Sequence, residues 1–185
     1  MPRINPIDPT TAHADAAGPL ATMARAFGGR APNLFTTAAQ SPAVVGAMVS
    51  FFGFMGKTSV GPQVGEQIAL AVAQSNGCSY CLSAHTAIGG LHGLTPDEMT
   101  AARDAEATDP KVRALLELAV AVNVARGHID DAAIAIARDA GLTDAEIVEV
   151  VAHVALNVFT NYLNTVAQTT IDFPEVSVAS VLSGD

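Results

Sequence analysis

The chain has 185 residues, 50% of them apolar and 15% charged, so it can fold as one domain around an apolar core with no staple of disulfides or metal. Two cysteines exclude a disulfide scaffold, and the hydrophobicity excludes disorder. A net charge of −9 argues against nucleic acid and against an anionic membrane surface.

The first residues, with Pro2, Pro6 and Pro9, read as an extended arm over 1–14 and not as a targeting segment. Helices are then expected over Asp15–Phe27, closed by Gly28-Gly29, and over Pro32–Gln40. Ser41-Pro42 opens a third, which carries Val45, Met48, Phe51, Phe52 and Met55 to about Gly56. Its aromatic crowding points to a pocket wall or a subunit interface.

A fourth helix spans Pro62–Ser75. Ser75-Asn76-Gly77 is a turn, and a fifth helix runs from Cys78 to His92. Thr95-Pro96-Asp97-Glu98 caps a sixth, ending between Ala105 and Thr108. Asp109-Pro110 opens a seventh over Lys111–Arg126, and Asp130–Ala140 forms an eighth. Thr143 and Glu146 make a capping box for a long ninth helix to Ala167. The two similar starts, Leu94-Thr95-Pro96-Asp97-Glu98 and Leu142-Thr143-Asp144-Ala145-Glu146, read as two good caps and not as a repeat.

The expected fold is all-α and multihelical: a single domain over 15–175 and a tail over 176–185. The uncharged stretches 31–56 and 67–96 are broken too early to cross a membrane, so a soluble cytoplasmic protein is expected. High apolar content with few charges favours a homo-oligomer.

The chemistry lies between Glu66 and His85. Cys78 and Cys81 are three apart at a helix start, where free N–H groups and the helix dipole favour thiolate. His85, four residues after Cys81, falls on the same face and can accept its proton. If the fourth and fifth helices form an antiparallel hairpin, Glu66 comes level with His85 and orients it. The array is a proton relay ending in a dithiol.

Among the other polar residues, His13 and His128 are expected at the surface, and His92 at a helix C-terminus. His153, Asn157, Asn161 and Asn164 stripe an apolar helix, as a packing contact or as cavity lining. A zinc site of two Cys, one His and one Glu is a competing reading. The second CxxC or HxxxH usual in structural sites is missing, so no metal is assigned. No haem or flavin site is apparent.

The spacing E-x11-C-x2-C-x3-H, carried by Glu66, Cys78, Tyr80, Cys81 and His85, resembles the alkylhydroperoxidase D branch of the carboxymuconolactone decarboxylase-like family. Pro32-Asn33-Leu34-Phe35, Asn161-Tyr162-Leu163-Asn164 and Asp172-Phe173-Pro174 resemble its peroxidase-related subgroup. The resemblance implies an all-α fold with a helical hairpin carrying the CxxC, assembled as trimers or hexamers. It also implies reduction of a small organic hydroperoxide, or electron transfer to a partner protein, with a thiol electron donor that the sequence does not identify. On that reading Cys81, as the neighbour of His85, attacks the peroxide and its sulfenic acid condenses with Cys78; the opposite assignment stays open, because in other CxxC proteins the first cysteine is the exposed nucleophile. An external thiol then attacks Cys78, and Tyr80 either donates to the leaving hydroxide or packs with its hydroxyl at the surface. Family members that decarboxylate a lactone generally lack the cysteine pair.

Overall fold

In the computed structural model, which describes residues 1–178, the chain is helical throughout, with no strand among the described residues. The helices are α1 (Ala14–Ala26), α2 (Asn33–Ala38), α3 (Pro42–Met55), α4 (Gly61–Ser75), α5 (Ser79–Leu91), α6 (Pro96–Arg103), α7 (Pro110–Ala125), α8 (Asp131–Asp139) and α9 (Asp144–Ala167). The expected all-α architecture is what the chain adopts. Most boundaries fall within two residues of the expected ones, because the caps that set them are local. The Thr95–Glu98 and Thr143–Glu146 capping boxes both form.

α4 is the hub. It packs against α5, α6, α7 and α9, and every residue from Gln67 to Ala73 is buried. A helix enclosed on all sides has no use for a polar face, which is why this segment is nearly uniformly apolar. Met48, Ile68, Leu70, Val72, Leu82, Leu116 and Val150 fill the core around it.

The two similar helix starts turn out to be more than good caps. They open α6 and α9, each the third helix of a three-helix run: α4–α5–α6 and α7–α8–α9. In each run the first helix packs against the second and the third, and α4 packs on α7. The architecture repeats even though only its caps are obvious in the sequence.

The N-terminal arm is docked. Arg3 donates its backbone N–H to the Ala167 carbonyl, and Ile7 to that of Thr36. His13 does not lie in a free arm: its Nδ1 caps α1 by accepting from the Asp15 N–H, and its side chain is exposed as expected. Beyond α9 the described residues, to 178, fold back without a helix. Val176 N–H donates to Ser83 Oγ, and Arg103 donates to the Ser177 carbonyl. Of the expected tail, residues 179–185 lie outside the described residues.

The outer face of α9 is apolar. Val148, Val151, Phe159, Tyr162 and Val166 are exposed along it at spacings of three, four and eight residues. The aromatic stripe of α3 divides: Met48 and Met55 enter the core, Phe52 is half-buried, and Phe54 is exposed. No helix among the described residues is long and apolar enough to cross a membrane.

Candidate active site

The site is built on the α4–α5 hairpin. The turn between the helices requires a left-handed residue, and Gly77 supplies it with φ 68°. An amide ladder fixes this turn. Asn123 donates to Asn76 at 2.9 Å, and Asn76 donates to Asn161 at 2.9 Å, tying the turn to α7 and α9.

Cys78 sits at the N-cap of α5 with extended backbone, so the helix begins at Ser79, one position after the expected start at Cys78. Its sulfur takes the place of a capping oxygen and accepts from the Cys81 N–H at 3.3 Å. Cys78 and Cys81 are joined as a disulfide, with Cα atoms 5.3 Å apart, and both are buried.

The hairpin brings Glu66 and His85 together across nineteen positions. His85 Nδ1 donates to Glu66 Oε2 at 2.7 Å, and both side chains are mostly buried. In a neutral ring that bond fixes the tautomer with the proton on Nδ1 and the lone pair on Nε2. His85 stands one turn after Cys81 on α5. Among the described residues no hydrogen bond joins the two, since the disulfide sulfur carries no proton to share.

The partner of Cys81 is Asn164 on α9, whose Nδ2 donates to Cys81 Sγ at 3.4 Å. Spacing along one helix has no means of showing this contact. The available signal is a buried amide on an apolar face, which must find a partner. The polar stripe of α9 accordingly splits. Asn161 serves the turn, Asn164 serves the sulfur, and His153 and Asn157 line a cavity of about 240 Å³ together with Glu66, His85 and His92.

Burial lowers the pKa of His153, against the opposing pull of Glu149 and Glu66. Thr58 Oγ donates to the Met55 carbonyl at 2.8 Å, so His153 Nε2 is the donor to Thr58 Oγ, 3.1 Å away. Gly65 makes room for the ring: a Cβ there would meet His153 Cε1 at 3.2 Å.

Tyr80 has hydrogen-bond partners on both sides of its hydroxyl. Its hydroxyl donates to Asp172 Oδ1 at 2.8 Å and accepts from the Leu34 N–H at 3.0 Å. Asp172 Oδ2 also accepts from the Asn33 N–H at 2.9 Å. The phenol proton is committed to a carboxylate and is not held ready for a leaving hydroxide. Burial pushes its ionisation well above the ordinary tyrosine range. Tyr80 is a positioning residue that pins the C-terminal segment and the start of α2 against α5. Tyr80→Phe would leave a buried N–H at Leu34 unpaired, at a cost of about 2 kcal/mol. In a domain of this size the expected fall in Tm is roughly 4–8 °C, read by calorimetry; an unchanged Tm would remove the positioning role.

The pinned segments enclose an apolar cavity of about 160 Å³. Phe27, Phe35, Phe52 and Phe173 wall it, and Glu66 and His85 close one end. A separate, more polar cavity of about 250 Å³ lies at Cys78, walled by Ser79, Asn164, Gln168 and Thr169. A larger one of about 560 Å³ lies between α4, α6 and the start of α7, and none of the five expected site residues lines it. Among the described residues no group of three His, Cys, Asp or Glu side chains is placed to hold a metal ion.

No curated protein matches the sequence. Solved structures that share the fold include these three. The alkylhydroperoxidase AhpD core, a peroxidase-related protein from Ralstonia eutropha JMP134, is 22% identical over 92% of each chain, with a TM-score of 0.80. The debrominase Bmp8, solved in complex with 2,3,4-tribromopyrrole, is 20% identical over 91% of each chain, with a TM-score of 0.77. A peroxidase-related protein from Silicibacter sp. TM1040 is 19% identical over 86% of each chain, with a TM-score of 0.77. At these identities the likeness establishes the fold alone. The carboxymuconolactone decarboxylase family matches twice, at residues 42–109 and 99–170, and the two matches follow the two three-helix runs. Together they cover well over half of the sequence, and the chain belongs to the carboxymuconolactone decarboxylase family, with an AhpD-like fold.

Proposed function

We propose that this protein is a dithiol oxidoreductase that reduces a small apolar organic hydroperoxide. The observation that carries the reading is the Cys78–Cys81 pair one helical turn from a Glu66–His85 dyad that closes an apolar cavity. In the reduced protein, His85 Nε2 takes the Cys81 proton while Glu66 stabilises the imidazolium that forms. The Cys81 thiolate attacks the outer oxygen of the peroxide, the O–O bond breaks, and the alkoxide leaves with a proton as the alcohol. The Cys78 thiolate then attacks the sulfenic sulfur, the disulfide closes, and hydroxide leaves as water. Two thiols and one hydroperoxide thus give one disulfide, one alcohol and one water.

Burial of both sulfurs favours a small oxidant over a partner protein's disulfide. Small-molecule reduction also suits the phenylalanine walls. A second reading shares the same electrons. An aromatic C–Br bond fits such a cavity, and the debrominase among the structural neighbours motivates the trial. Thiolate would take the bromine, the ring would take a proton, and the second thiol would release bromide as the disulfide closed.

One experiment separates these readings. The reduced protein is mixed with one equivalent of cumene hydroperoxide or of 2,3,4-tribromopyrrole, and free thiols, intact mass and bromide are followed. Loss of two thiols within seconds with the peroxide alone supports the first reading. Loss with the bromopyrrole, matched by bromide release, supports the second. Thiols that persist with both would reject the dithiol chemistry and point to a carbon-acid reaction at Glu66 and His85.

The exposed apolar face of α9 supports self-association, in line with the expected homo-oligomer. A monomer mass by light scattering at micromolar concentration would reject it.

A further inference from the structure

The polar cavity at Cys78 is separate from the apolar one. Cys78 lines this polar cavity, and neither cysteine lines the two cavities that border His85. Two of the cavity's walls carry buried polar atoms with no partner: Asn164 Oδ1 and Thr169 Oγ. Asn164 is 4% exposed and Thr169 8%. A buried carbonyl oxygen without a donor is costly, and a site built for a ligand is one reason such a group persists. The other end of the same Asn164 amide donates to Cys81 Sγ.

We propose that this cavity is the docking site for the reducing thiol, and that the thiol it fits carries an amide N–H close to its sulfur. The inference rests on the dithiol reading above and adds the second substrate. The incoming thiolate attacks Cys78 Sγ, the sulfur bordering the cavity. A mixed disulfide forms, and the Cys78–Cys81 bond breaks with its electron pair moving to Cys81. The Asn164 Nδ2–H already points at that sulfur and stabilises the new thiolate. Asn164 Oδ1 accepts the N–H of the incoming molecule, and Thr169 Oγ bonds its carbonyl. A second thiol then attacks the ligand sulfur and releases Cys78 as thiolate, so two thiols supply the two electrons. The two cavities thus lie at different parts of the site: the apolar one borders His85, and the polar one borders Cys78.

The test uses the full chain oxidised with diamide, so no peroxide enters it. Reduction is followed by tryptic mapping of alkylated Cys78 and Cys81 with two probes of the same shape. N-acetylcysteamine has the amide N–H, and 2-mercaptoethyl acetate has an ester oxygen in its place. Each rate is corrected for the thiolate fraction of its probe. The amide is expected to react about fivefold faster in the native protein, the value of one hydrogen bond. In Asn164→Leu that preference is expected to fall to about one, and in Thr169→Val to shrink. Equal rates for the two probes in the native protein overturn the proposal, and that arm needs no variant to fold. A preference that survives Asn164→Leu in a folded protein also overturns it. If diamide forms no Cys78–Cys81 disulfide, the dithiol reading itself fails, which is a different outcome.

Discussion

Cys81→Ser is expected to abolish turnover of cumene hydroperoxide, by at least about a thousandfold, while Cys78→Ser is expected to react once. Removing a nucleophile leaves the pocket but not the bond-forming atom, so the loss is of that order or more. Cys81 is assigned the attack because His85 stands one turn further along α5 and is itself held by Glu66 at 2.7 Å. Cys78 borders the other cavity, away from that base. In Cys78→Ser the sulfenic acid at Cys81 finds no second thiol. The protein is then expected to gain one oxygen, about 16 Da, after one equivalent of peroxide and to stop. Intact mass and a dimedone adduct read this directly. If Cys81→Ser is the variant that gains oxygen, the two sulfurs have the opposite roles. The capping bond from the Cys81 N–H to Cys78 Sγ would then be the device that activates the nucleophile.

The parts of this molecule legible in its sequence are those set by contacts a few residues long. Asp109-Pro110, Thr95 with Glu98 and Thr143 with Glu146 mark helix starts because the capping atoms lie within one turn of the backbone they satisfy. The hairpin is legible because one turn signal at Asn76-Gly77 fixes which α4 residue comes level with which α5 residue. Glu66 and His85 meet as that symmetry requires. The rest of the site is assembled over long separations. Asp172 reaches Tyr80 from 92 positions away, and Asn164 reaches Cys81 from 83 away. No periodicity encodes such contacts. Tyr80 illustrates the consequence: between the two cysteines it invites a catalytic role, yet its hydroxyl proton is spent on a carboxylate from the C-terminal segment. The repeated three-helix run was hidden for a related reason. A fold repeats through helix order and packing, and here alanine, valine and leucine fill those positions with little to distinguish them.

His85→Gln and Glu66→Gln separate the base from the residue that orients it. His85→Gln removes the proton acceptor for Cys81, and the second-order rate of thiol oxidation is expected to fall about a hundredfold near neutral pH. Raising the pH restores much of that loss, because hydroxide then forms the thiolate without help. Glu66→Gln keeps His85 in place but replaces an ionised acceptor with a neutral one. The imidazolium loses its counter-charge, so a smaller fall of about tenfold is expected. The double variant His85→Gln, Glu66→Gln discriminates the relay from two independent effects. If Glu66 acts through His85, adding its change to His85→Gln costs almost nothing further. If the two falls multiply, Glu66 touches the chemistry by its own route. The most direct such route is through the neighbouring cavity, where it sits beside His92 and His153. Stopped-flow rates across pH 6–9, with circular dichroism on each variant, read all three cases. A His85→Gln protein that oxidises as fast as the native one at pH 7 would remove the relay from the mechanism altogether. Thiolate formation would then rest on the helix N-terminus and the Asn164 amide alone.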